Sequence, residues 1–185
     1  MLQKKKLLLT QISLIFIFAY GIFLRVNEYL ANRSLWLDEA SLALNIIDKS
    51  FRQLITQPLD YNQAAPAGFL LLTKILVLLL GDSEFTFRLI PFISGIASLF
   101  LFYVFLKKNT SKSSMLIALG LFSFSYIMLR YATEFKPYSS DVMFALIVMI
   151  PGMSFLKDGL TLKKAVLWGS PARLSYGFHT RRSLC

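Results

Sequence analysis

The chain has 185 residues, of which 56% are hydrophobic and only 16% charged, with 17 Phe and a net charge of +10. A soluble domain carries roughly 25% charge, and here the cations sit between long apolar runs, as they do in membrane loops. A soluble nucleic-acid binder is excluded, and the single cysteine, Cys185, excludes an internally disulfide-stapled secreted domain.

After Lys4-Lys5-Lys6, residues 7–24 run without a charge, close to the ~20 needed to cross the hydrocarbon core. No small-residue cleavage site is apparent, so this segment reads as a retained signal-anchor helix. Three further uncharged runs, 89–106, 113–129 and 142–156, are predicted spans. The stretch 66–80 is shorter and carries Lys74 in its middle, and it decides the topology. If it crosses, Lys107, Lys108, Lys112, Lys157, Lys163 and Lys164 all lie outside. If it rests in the interface, those six join Lys4, Lys5 and Lys6 in the cytoplasm, and the short external segment keeps only Arg130 and Lys136. The positive-inside rule favours the second arrangement, and a mid-span lysine is costly.

The expected plan is an all-α membrane protein with its N-terminus in the cytoplasm. It has four spans within residues 1–165 and one long external loop over 25–88. Inside that loop, Asp38 to about Gln57 has an amphipathic pattern: Leu42, Ile46, Ile47, Leu54 and Ile55 on one face, Asn45, Asp48, Lys49 and Arg52 on the other. Arg25 and Arg88 read as headgroup-level anchors.

This topology places two polar motifs on the external side. One is Ser34-Leu35-Trp36-Leu37-Asp38-Glu39-Ala40; the other is Glu134-Phe135-Lys136-Pro137-Tyr138-Ser139-Ser140-Asp141. Each has a plain structural reading. Asp38 suits a helix N-cap and Glu39 a first helical turn, while Trp36 and Tyr138 suit interfacial aromatics. Spacing alone does not make an enzyme of them.

The first motif, with Arg33 before it, resembles the first acidic motif of membrane glycosyltransferases that use lipid-linked sugars. The likeness is to the protein O-mannosyltransferase and aminoarabinose-transferase-like group, glycosyltransferase family 39 with the GT-C fold. It continues in order through Ala65-Pro66-Ala67-Gly68-Phe69 up to Lys74, through Gly81-Asp82-Ser83-Glu84-Phe85-Thr86-Phe87-Arg88, and through Tyr131-Ala132-Thr133-Glu134-Phe135-Lys136-Pro137-Tyr138. The resemblance implies the N-terminal part of a GT-C polytopic helical bundle, with juxtamembrane helices in the first external loop. It implies a polyprenyl-phosphate-linked sugar as donor and an acceptor glycan, lipid or protein; the absence of eukaryotic retention signals points to a bacterial inner membrane, and the topology above puts the site on the external face. By the same resemblance Asp38 is the catalytic carboxylate, acting as general base, with Glu39 orienting the acceptor or supporting it. Lys136, Arg130 and Lys74 are the candidate cations for the departing phosphate, and Glu134 and Tyr138 would bind sugar or acceptor. Many relatives carry Arg where Lys136 stands, and Lys gives up bidentate phosphate contact. No cofactor is firmly implied. His179 is the only His, which speaks against a His-based metal site, and only some relatives need a divalent cation.

The segment 166–185 departs from this pattern. Where a further span is expected, Ser170-Pro171-Ala172-Arg173 intervenes and the chain closes on Arg181-Arg182-Ser183-Leu184-Cys185. A one-nucleotide shift over 175–184 permits a more apolar text, so this tail is expected to be frame-shifted or truncated and the 185-residue product to have little or no activity. A non-catalytic membrane protein on the same scaffold is the alternative reading. A transporter fits less well, because all four predicted spans are uncharged.

Overall fold

The computed structural model describes residues 2–158; the lysines at 163 and 164 and the tail 166–185 lie outside the described residues. Among the described residues the protein is all α-helix. Helix α1 covers Leu2–Leu30 and α5 covers Glu84–Asn109. They run antiparallel: Tyr29 donates to the carbonyl of Phe85 and stacks on Phe92 at 4.3 Å, while Phe18 stacks on Phe100 at 4.9 Å. The basic start of α1 therefore lies at the same end as Lys107 and Lys108, which close α5 and complement its dipole.

Helices α1 and α5, with α8 (Tyr138–Asp158), are long and apolar enough to cross a membrane. The run 113–129, expected as one span, is two helices, α6 (Lys112–Phe124) and α7 (Tyr126–Tyr131). Ser125 ends the first and caps the second, its hydroxyl accepting from the amide of Met128. A hydroxyl that offers the backbone a competing acceptor interrupts a helix that hydropathy alone would continue.

The long loop also folds as helices. The amphipathic stretch is α2 (Leu37–Asp48) and α3 (Phe51–Thr56), divided where Ser50 starts a capping box with Gln53. Leu42, Ile46 and Leu54 are buried as expected, whereas Ile47 and Ile55 are exposed. They join Phe69 and Leu70 of α4 (Ala67–Leu80) and Phe87 and Phe135 in one apolar cluster. At 14 residues α4 reaches only ~21 Å, short of the hydrocarbon thickness. A second cluster, built on Ile17, Leu99, Leu106, Met115 and Leu119, ties α1, α5 and α6 together.

Three polar residues expected at the surface are inside. Asn45, assigned to the wet face of α2, is 1% exposed because its amide secures the loop at Asp60. Arg25 is likewise buried, donating from Nη1 to the carbonyls of Gly21 (2.9 Å) and Ser123 (3.0 Å). Arg88 is buried against Glu39. Neither guanidinium lies at the protein surface, where an anchor would be.

Candidate functional site

The extended segment 33–36 leads into α2, whose third residue is Glu39. Its carboxylate accepts from the amide of Trp36 (3.0 Å), the capping contact of a helix start. The same carboxylate collects three more donors: Arg88 Nε (3.2 Å), Arg88 Nη2 (2.9 Å) and the amide of Phe135 (2.5 Å). Arg88 completes its fork on the carbonyls of Arg33 and Ser34. Burial pushes the Glu39 carboxyl up, but Arg88 and the two backbone amides outweigh it, so its pKa lies below the ordinary value. Four elements of the fold meet on this carboxylate.

Asp38, one residue earlier, points the other way, since successive helical side chains are turned by about 100°. Its side chain is 64% exposed. Oδ2 pairs with Lys136 Nζ at 2.7 Å and Oδ1 accepts from Gln63 Nε2 at 2.7 Å, while Lys136 also donates to Gln63 Oε1 at 2.8 Å. Lys136 and Gln63 hold the Asp38 carboxyl below the usual range. The two acidic motifs, expected to share one face, are thus in direct contact at the end of α5 opposite Lys107 and Lys108.

Arg130 flanks the pair, 3.8 Å from Glu134 and 4.6 Å over the Trp36 ring. Burial raises the Glu134 carboxyl, helped by the charge of Glu39 and opposed by Arg130 and Lys136. Tyr138 packs on Tyr131 at 4.6 Å. Lys74 stands apart: it donates to the carbonyls of Ile46 (2.7 Å) and Ile47 (3.0 Å), where a cation satisfies the last turn of α2.

A family model described as dolichyl-phosphate-mannose-protein mannosyltransferase matches residues 64–177, more than half of the chain. The chain belongs to this family. It is therefore a membrane glycosyltransferase by family, in keeping with the all-α fold and the three membrane-length helices among the described residues. The mannosyltransferase match takes in Glu134, Lys136 and Tyr138 and begins after Asp38 and Glu39. Neither the curated proteins nor the solved structures gave a match.

Two residues of this candidate site escaped the sequence reading. Arg88 stood inside a quoted motif, and its only signal was a lone cation next to an apolar run. Gln63 lies two residues before the Ala65-Pro66 motif and carried no signal of its own. Among the described residues, no three Asp, Glu, His or Cys side chains gather as a metal site.

Proposed function

We propose that the family activity is carried out here on a polyprenyl-phosphate sugar, with an acceptor hydroxyl or amine arriving from outside the cell. The supporting observation is the Asp38–Lys136 pair, a carboxylate and an ammonium 2.7 Å apart on a partly open face. Asp38 takes the acceptor proton as the acceptor atom bonds to the anomeric carbon. The bond from that carbon to the phosphate oxygen breaks with inversion, and Lys136 neutralises the phosphate that leaves. Arg130, Glu134 and Tyr138 border the sugar or acceptor. Glu39 acts as a positioning residue, because its oxygens are committed to Arg88, Trp36 and Phe135. Lys74 we assign to the fold. The lysine-bearing ends face the cytoplasm of a bacterial inner membrane, residues 25–88 form the external loop, and residues 113–129 complete the spans.

The test is binding in nanodiscs. The protein is expected to prefer a polyprenyl phosphate over the neutral polyprenol, and Lys136→Met to weaken phosphate binding roughly 10- to 100-fold, as for loss of a charge-assisted hydrogen bond. Equal affinity for the two lipids sinks the reading and favours a non-catalytic role on the same scaffold.

A further inference from the structure

Both oxygens of Asp38 are occupied, Oδ1 by Gln63 and Oδ2 by Lys136. A general base needs one of them free and correctly aimed. The two partners differ in how they can leave. Lys136, its side chain only 7% exposed, interacts as a point charge through one ammonium, so a second anion that reaches this ammonium from the open Asp38 side can draw it away. Gln63 is held by its loop.

That loop is pinned on both sides of Gln63. Before it, the buried Asn45 reads the backbone of Asp60 twice, accepting from its amide (2.7 Å) and donating to its carbonyl (3.2 Å), while Lys49 pairs with the Asp60 carboxylate at 2.8 Å. Tyr61 and Asn62 then take left-handed backbone, φ 58 and 54, a conformation that persists only where the surroundings impose it. After it, Ala65 is buried in the core and Pro66 starts α4. The amide at 63 is delivered with its donor on the carboxylate and its acceptor on the ammonium.

We propose that Gln63 is a positioning residue that keeps Asp38 aimed by Oδ1, so that an anionic phosphate drawing Lys136 away bares Oδ2 toward the acceptor. Phosphate binding and unmasking of the base are then one event, and the acceptor is deprotonated only with a donor in place. The phosphate half of this inference rests on the transferase reading above. The grip of Gln63 on Asp38 does not.

The experiment follows the Asp38 carboxyl carbon by NMR in the full chain, carbon-13 labelled at aspartate and held in nanodiscs, with Asp38→Asn giving the assignment. The titratable and charged groups around it are Lys136, Glu134 and Tyr138. Inorganic phosphate serves as the probe. In the wild type, phosphate should move the titration midpoint of Asp38 upward as Lys136 is drawn off, and in Lys136→Met it should have no effect. Gln63→Met should move the midpoint upward without phosphate, and should do so again in the Lys136→Met background. Gln63→Asn, one methylene shorter, should shift it in the same direction while unfolding midpoints stay at the wild-type value. If Gln63→Met and Gln63→Asn both leave the Asp38 midpoint in place, the proposal is overturned whatever phosphate does. If the Gln63 variants move the midpoint but phosphate does not, the grip of Gln63 stands and the phosphate role of Lys136 is lost.

Discussion

Replacing Arg88 by methionine is expected to cost about 3–5 kcal/mol of stability, the penalty for leaving a buried carboxylate without its cation. Few single changes cost a protein so much. Glu39 is 1% exposed and Arg88 4%, so neither can recover its hydration by turning outward. Removing both charges, as Arg88→Met with Glu39→Met, should restore only part of the loss: no unpaired charge remains, but the amides of Trp36 and Phe135 lose their acceptor. A denaturation series in detergent on the wild type, both single variants and the double variant gives the coupling directly; simple additivity would refute the pairing. The pH dependence has a definite sign. The folded Glu39 carboxyl lies below its ordinary 4.5, so its contribution is present above that value and lost as pH falls through the lower folded one. In Arg88→Met only the amides of Trp36 and Phe135 are left to oppose burial, so the carboxyl rises from its wild-type position. The gap between the variant and the wild type should therefore narrow below about pH 4.5.

Gly95→Ala is expected to destabilise by about 1–3 kcal/mol, the range for overpacking a close contact. A Cβ at position 95 would sit 2.5 Å from the Cβ of Ala132 and 3.2 Å from its Cα. The second distance is to backbone, so no rotamer relieves it. Helix α5 and the turn that follows α7 must separate, and that turn carries Phe135 and Lys136 toward Glu39 and Asp38. Ala132→Gly in the same chain should recover part of the loss, because it removes the nearer atom and leaves the farther one. Gly21→Ala makes a useful control. Its Cβ would meet the Ser123 hydroxyl at 1.9 Å, which can rotate away at the cost of one hydrogen bond to the carbonyl of Ile17. An unchanged unfolding midpoint for Gly95→Ala would mean that α5 and this turn do not pack as described.

Hydrophobic run length carried most of the fold. The runs at 7–24, 89–106 and 142–156 lie within α1, α5 and α8, and the short stretch at 66–80 matches α4. The breaks were harder to read. Ser50 and Gln53 have the spacing of a capping box, yet the apolar periodicity of 42–55 runs across it. At Ser125 nothing in the hydropathy changes. For the site, the two acidic motifs were legible as one face, and the structure brings Asp38 and Glu39 together with Glu134, Lys136 and Arg130. The division of labour between neighbours was not. Whether Asp38 or Glu39 turns inward depends on the azimuth of α2, which is set by partners 49 and 96 residues away. Lys74 was one candidate cation for the phosphate; that it satisfies the carbonyls of Ile46 and Ile47 was not legible, because a sequence does not show which acceptors a lone cation meets. Arg25 and Arg88 misled for the same reason, since their acceptors lie far off in the chain.

Arg25 also sets a timetable. It lies ~30 Å along α1 from Lys5, and one of its acceptors, the carbonyl of Ser123, comes 98 residues later. That carbonyl belongs to the last turn of α6, just before the break at Ser125. During synthesis at about 5–20 residues per second, α1 waits roughly 5–20 s for this partner. Until then its guanidinium lacks this acceptor. The buried seat of Arg25, between the carbonyls of Gly21 and Ser123, is thus completed only by the sixth helix.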